Sequence, residues 1–246
     1  MEAVAGAIAK ESKIRGIRQI LSPVINIATD VRWGRTEETY GEDPFLTTKM
    51  AVSYIKAFEK LGYAARVSSN PADLENTDKI VLPGVGAFRD CINNLRAGGF
   101  VEPLLQHVAA GKPLLGICVG MQMLFDESEE FGRHQGLGLI PGKVVRFPAG
   151  MEEAGERLKV PHMGWNTIQI KQDTPIFKGT AEGSYVYFVH SYYCSADNQD
   201  DVAASCRYGE IEFCAAIWRD NLMATQFHPE KSQDIGLNIF KNFGEL

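Results

Sequence analysis

The run Lys112-Pro113-Leu114-Leu115-Gly116-Ile117-Cys118-Val119-Gly120-Met121-Gln122-Met123-Leu124-Phe125 decides how this chain is read. KPLLGIC (112–118) is an apolar run of strand length and MQMLF is helix-like, so the glycines between them mark a strand-to-helix turn. A G-x-nucleophile-x-G turn forces its central residue into a tight, exposed conformation, and the flanking glycines remove side chains that would clash there. Cys118 is therefore expected at a helix N-terminus, where free backbone N–H groups and the helix dipole favour a thiolate, the reactive form. Taken alone, the motif fits a structural cysteine in a glycine-rich turn equally well.

Outward from this unit the rhythm is regular. YAARVS (63–68) and KIVLPG (79–84) read as strands, and helices are expected to about residue 95 and over 101–110. From about residue 138 to 214 the pattern changes to strands with hairpin-like turns, including KVVRF, NTIQI, SYVYFVH and CAAIW. MATQFH and a last helix from about residue 233 close the chain. PAGMEEAGERLK (148–159) reads as a surface loop. Towards the N-terminus, residues 2–18 have helical apolar spacing, ILSPVINIA (20–28) is a β-branched strand, 29–43 is a polar loop and 44–60 a second helix. The fold class is thus α/β: one domain over 1–246, with a doubly wound, mostly parallel sheet and an antiparallel strand-rich insertion.

Length and composition agree with one large core. The chain has 246 residues, 45% hydrophobic and 23% charged, which excludes a disordered or coiled-coil chain. Lys and Arg number 25 against 31 Asp and Glu, a net −6 that leaves no electrostatic footprint for nucleic acid or anionic lipid. No apolar run approaches the roughly 18 residues of a membrane span, and no signal peptide is evident, so a cytosolic protein is expected. Five cysteines, Cys91, Cys118, Cys194, Cys206 and Cys214, are scattered without a CxxC pair, which suggests neither a disulfide framework nor a zinc site.

A thiol that attacks a carbonyl needs a base, and the base needs an orienting partner. Gln226-Phe227-His228-Pro229-Glu230, directly after the apparent strand LMATQF, offers both. Ligands of an α/β sheet gather at the carboxyl ends of its strands, so the segments around Cys118 and His228 are expected to reach one crevice. His107 and His134 read as solvated surface residues, and His162 and His190 lack a nearby carboxylate in sequence. Leu82-Pro83-Gly84-Val85-Gly86 could present backbone N–H groups to an oxyanion, as could the residues after Cys118, although PGVG is by itself only a turn.

LPGVGAF, GICVGMQMLF, VPHMGWN, YFVHSYY and QFHPEKS, in this order, resemble the class I glutamine amidotransferases. Within them the chain is most similar to the glutaminase subunit of imidazole glycerol phosphate synthase, from histidine biosynthesis. The resemblance covers about residues 61–246. Met121 stands where many relatives carry His and, with PHMGWN, points to the histidine-pathway branch. The resemblance implies a flavodoxin-like fold and a triad in which Cys118 attacks the glutamine amide, His228 shuttles the proton and Glu230 orients the imidazole. It implies oxyanion donors at Val85 or Gly86 and at Val119, and a glutamine site formed by Gly84, Gln122 and the backbone around Ser191 and Tyr192. It also implies a separate (βα)8 cyclase barrel as partner, receiving ammonia and contacted by Pro161, His162, Met163 and Trp165. No metal and no cofactor are implied.

Residues 1–60 lack the family's usual first strand and glycine-rich DYG-type loop. LSPVINIATDVRWGRTEETYGEDPFLTTKMAVSYIKAFEK instead resembles part of the (βα)8 barrel of family 3 β-glucosidases. This implies a chimera joined near Lys60 to Tyr63, of engineered or natural origin. Arg32 and Arg35 would belong to a sugar-binding loop, but the SDW-type segment of the nucleophilic aspartate is missing, so no glycosidase activity is expected. Glu37, Glu38, Glu42 and Asp43 resemble a carboxylate pair only loosely, and a solvated acidic loop is the plainer reading. Three outcomes stay open: a working glutaminase, a catalytically silent hybrid scaffold, and a sugar-binding remnant.

Overall fold

The computed structural model describes residues 68–84, 86–153 and 155–246. The chain divides into two compact units, Met1–Ser68 and Ser69–Leu246, and all that is described beyond Ser68 belongs to the second. The two helices, the strand and the loop expected over residues 2–60, most of the strand at 63–68, and Val85 lie outside the described residues.

The buried strands are those with unbroken apolar runs. β2 (Leu114–Cys118) is buried at every position and pairs in parallel with β1 (Ile80–Gly84) on one side and β14 (Leu222–Thr225) on the other. A strand covered on both faces needs no polar alternation, which is why KPLLGIC shows none. Beyond β14 the sheet continues through β13 (Ile211–Arg219), β11 (Tyr192–Ala196), β5 (Ile140–Arg146), β3 (Phe125–Ser128) and β4 (His134–Gln135). The pairs β14–β13, β13–β11 and β11–β5 are antiparallel, whereas β5–β3 is parallel. β12 (Val202–Tyr208) pairs with β13 and with the short β9 (Gln169–Ile170). β8 (His162–Thr167) and β10 (Tyr185–His190) form a separate antiparallel ribbon. The expected α/β class, with an antiparallel second half, is what the described residues adopt, but only β1–β2, β2–β14 and β5–β3 pair in parallel, so the described sheet is mixed rather than mostly parallel. In the expected surface loop at 148–159, β6 (Glu152–Glu153) and β7 (Glu156–Arg157) form an exposed hairpin.

Four helices accompany these strands among the described residues: α1 (Phe88–Ala97), α2 (Val101–Ala109), α3 (Val119–Gln122) and α4 (Gln233–Glu245). α1 has no side-chain cap from Ala87; the Glu130 carboxylate accepts from Phe88 N at 2.5 Å instead, satisfying a free N–H at a positive helix end. Asn221 ties the end of α2 to β2 by donating to Val108 O and Lys112 O at 3.0 and 2.7 Å. His107, expected to be solvated, is buried on α2 with Nε2 3.1 Å from Pro113 O, because α2 turns that face onto the sheet. The helix expected over MQMLF lasts only through Gln122; Phe125 already belongs to β3.

Candidate active site

Cys118 ends β2 with φ 54° and ψ −112°, a positive-φ conformation that costs a non-glycine residue of order 1–3 kcal/mol and persists only where the surroundings enforce it. The enforcement is visible in the register: Gly84, the last residue of β1, lies opposite Cys118, and a Cβ on Gly84 would meet Gly120 N at 2.6 Å. The end of β1 is thus held against the elbow by close contact at Gly84. Gly86 follows with φ 95°, while Val85, the other expected oxyanion donor, is outside the described residues. Val119 begins α3, so its N–H belongs to the group that has no intrahelical acceptor. With only four residues, α3 sums few peptide dipoles, so the helix-dipole argument for a thiolate is weak here.

The adjacent strand brings the histidine. Thr225 of β14 pairs with Ile117, and the chain leaving β14 carries His228 to the same end of the sheet. There His228 N donates to Tyr187 O at 2.9 Å, and Ser232 Oγ donates to His228 O at 2.7 Å while accepting from Tyr187 N at 3.0 Å. The turn is stitched to β10. Pro229–Lys231 forms a single 3-10 turn that brings Glu230 back under the ring, with His228 Nδ1 donating to Glu230 Oε1 at 2.7 Å. Nε2 is buried and has no partner of strict hydrogen-bond geometry among the described residues. Cys118 is the further group that acts on the ring. Burial alone would lower the ring's pKa, but attraction and loose hydrogen bonding from Cys118, together with Glu230, outweigh it and push His228 up to about 9. The charged ring therefore adds stability that is complete below its ordinary 6.5 and is lost as pH rises through about 9. In Cys118→Ser the attraction from the sulfur is gone, so an NMR titration of the His228 ring should give a midpoint clearly below that of the parent. An unchanged midpoint would show that Glu230 alone holds the proton.

Gln122 and Tyr192 meet as expected: Gln122 Nε2 donates to Tyr192 O at 3.0 Å and to Gln226 Oε1 at 3.1 Å. Both amide hydrogens are committed, so whatever Gln122 offers a substrate must come from Oε1, as an acceptor. Ser191 is half-buried and its carbonyl accepts from Phe147 N at 3.1 Å. Of the four residues expected to line the partner contact, Pro161, Met163 and Trp165 share an exposed face, with Met163 56% and Trp165 45% exposed. His162 does not join them. Strand alternation turns it inward, 3% exposed and stacked on Phe188 and Tyr208, so it cannot touch a partner directly. Cys91, Cys194, Cys206 and Cys214 form no disulfide among the described residues, and the last three are buried in the sheet.

Residues 48–245 match the family model of glutamine amidotransferase class-I. The chain is 64% identical over 191 residues to imidazole glycerol phosphate synthase subunit HisH of Syntrophotalea carbinolica, which spans 78% of this chain and 92% of that protein. HisH of Geobacter sulfurreducens is 60% identical over 78% of this chain and 91% of its own. The chain belongs to the HisH branch of the class-I glutamine amidotransferases. Among solved structures, a glutamine amidotransferase superposes with a TM-score of 0.56 at 19% identity, covering 77% of this chain and 91% of that one. The glutaminase domain of CTPS from Trypanosoma brucei, with bound acivicin, gives 0.52 at 17%, covering 80% and 88%. These two likenesses speak for the fold. A second family model, glycosyl hydrolase family 3 N terminal domain, matches residues 1–73, so the two matches overlap over 48–73.

Two residues of this HisH-like site escape a reading of the sequence. Gln226 places Nε2 3.8 Å from Cys118 Sγ, and the Glu130 carboxylate holds the first N–H of α1. Gln226 directly precedes Phe227-His228, and its burial at 0% exposure is the signal, which only the fold supplies. Glu130 is hidden in an acidic run that looks solvated; its carboxyl is raised by burial, against the lowering effect of the Phe88 N–H.

Proposed function

We propose that this chain is a glutaminase subunit of the imidazole glycerol phosphate synthase type, and that it hydrolyses the side-chain amide of glutamine through Cys118, His228 and Glu230. The observation that carries this reading is the line Glu230–His228–Cys118 across the carboxyl ends of β14 and β2, in a chain more than half identical to HisH subunits. The Cys118 sulfur forms a bond to the amide carbon. The oxygen takes the negative charge and is met by N–H groups of Val119 and of the turn at Val85 or Gly86. His228 gives its proton to the leaving nitrogen, and ammonia departs. His228, neutral again, takes a proton from water; the hydroxide displaces sulfur from the thioester, and glutamate leaves. Glu230 keeps the ring in the tautomer that points Nε2 at the sulfur. Gly84, Gln122, Ser191 and Tyr192 surround the glutamine, and Pro161, Met163 and Trp165 meet a cyclase barrel that consumes the ammonia in a cytosolic complex.

The test is glutamate release by the purified chain, alone and with a cyclase barrel added. Release that rises with the barrel supports the reading. No release in either mixture from a folded protein would favour the second reading, a catalytically silent hybrid. What favours that second reading is the glycosidase-like match at residues 1–73, where HisH relatives would be expected to carry their own first strand. The chimera, joined near 60–63, stands or falls independently of activity.

A further inference from the structure

His162 and His190, which play no part in the chemistry above, lie 3.2 Å apart through His162 Nδ1 and His190 Nε2, inside a cluster of Phe147, Phe188, Tyr208 and Phe213. Their hydrogen bonds follow from their neighbours. The Tyr192 carbonyl, 2.8 Å from His190 Nδ1, can only accept, so Nδ1 carries the hydrogen. Burial keeps the ring neutral, with a pKa down to about 3, so His190 Nε2 accepts, and His162 Nδ1 must donate to it. His162, held neutral by burial at about 4, then accepts at Nε2 from Asn166 Nδ2 at 3.3 Å. The second Asn166 hydrogen goes to Arg207 O at 2.9 Å. Every ring nitrogen in the series is used once, and the series ends on a residue of the glutamine site.

The Tyr192 carbonyl accepts twice: from His190 at 2.8 Å and from Gln122 at 3.0 Å. Gln122 in turn holds Gln226, which reaches the Cys118 sulfur. A cavity among aromatic rings could be filled by Phe or Leu at less cost than two imidazoles, whose burial is tolerable only when fully hydrogen-bonded. The polar pair earns its place only if the position of the Tyr192 carbonyl matters.

We propose that His190, backed by His162, is a positioning residue for glutamine binding: it fixes the Tyr192 carbonyl and through it the Gln122 amide. The proposal rests on the glutaminase reading above. Because His162 lies on β8 between Pro161 and Met163, whose side chains face outward, the same series links the expected partner face to the glutamine pocket.

The test is steady-state glutamate release with the cyclase barrel present. His190→Phe, which fits the aromatic cluster, should raise KM for glutamine about tenfold while kcat stays within about twofold, the loss of one buried hydrogen bond. His190→Asn, whose Nδ2 can stand in for Nδ1, should recover most of the KM. An unchanged KM in His190→Phe, a fall in kcat without a change in KM, or His190→Asn as poor as His190→Phe would overturn the proposal. If His190→Phe does not fold, His162→Phe carries the test, with a rise of about threefold expected because only the donor behind His190 is lost. The imidazole 15N shifts of the unaltered protein give a readout independent of turnover. Both rings should be Nδ1–H tautomers, and an Nε2–H ring at either position overturns the relay whatever the enzyme does. Absence of turnover in the unaltered protein with both rings Nδ1–H would instead strike at the glutaminase reading alone.

Discussion

Cys118→Ser should cut kcat/KM for glutamate release by about a thousandfold or more, to the background of the assay, while leaving the protein folded. The substitution exchanges one atom at a position 3% exposed, so packing against Gly84 and the elbow is kept. What is lost is the proposed nucleophile. A hydroxyl ionises far less readily than a thiol, and the network here is built around sulfur: Gln226 Nε2 approaches it at 3.8 Å, and the charge of His228 is sustained in part by it. Glu230 cannot compensate, because it touches only Nδ1. Glutamine should still bind, since Gln122 and Tyr192 are untouched, and calorimetry on the variant should find an affinity close to the parent's KM. A Cys118→Ser protein that releases glutamate at more than about a hundredth of the parental rate would remove Cys118 from the mechanism.

The parts of this site that can be read from the sequence are those whose chemistry depends on chain neighbours. Gly116-Ile117-Cys118-Val119-Gly120 forms an elbow because two glycines bracket a strained residue, and His228 with Glu230 forms a pair because one 3-10 turn brings i and i+2 together. Residues whose roles depend on distant strands cannot be read so. In sequence His162 groups with Pro161, Met163 and Trp165 because a six-residue strand gives no clue to its own phase; only its pairing with β10 turns the histidine inward. The run MQMLF is apolar throughout, so periodicity cannot tell a short helix followed by a buried strand from one longer helix. Gln226 and Glu130 are polar residues made useful by burial, which comes from contacts with residues up to about a hundred positions away. β12, a strand of small residues, VAASCRY, pairs with β13 without any alternation that would announce it.

Gly120→Ala should be severely damaging although it removes no functional group. A Cβ at this position would lie 1.9 Å from Leu82 O, 2.9 Å from Leu82 C and 3.3 Å from Pro83 C. All three atoms are backbone of β1, so no side-chain rotation relieves the clash, and the strand itself must move by roughly an ångström to restore ordinary contact. β1 is paired with β2 along its whole length, in register from Ile80 opposite Leu114 to Gly84 opposite Cys118. Displacing it opens the core beneath Leu82 and breaks ladder hydrogen bonds, a cost of about 3 kcal/mol or more. It also carries Gly84 away from its place opposite Cys118. Because oxyanion donors act only when correctly placed, a shift of about 1 Å should reduce kcat by about a hundredfold in whatever protein remains folded. Gly111→Ala provides the contrast: it follows α2 with φ 74° and nothing within 4 Å of the added carbon, so it should cost only the left-handed backbone, about 1 kcal/mol, with no effect on rate. Denaturant midpoints and glutamate release measured on both variants separate the two cases. Parent-like stability and turnover in Gly120→Ala would mean that the close approach of β1 to the elbow is dispensable.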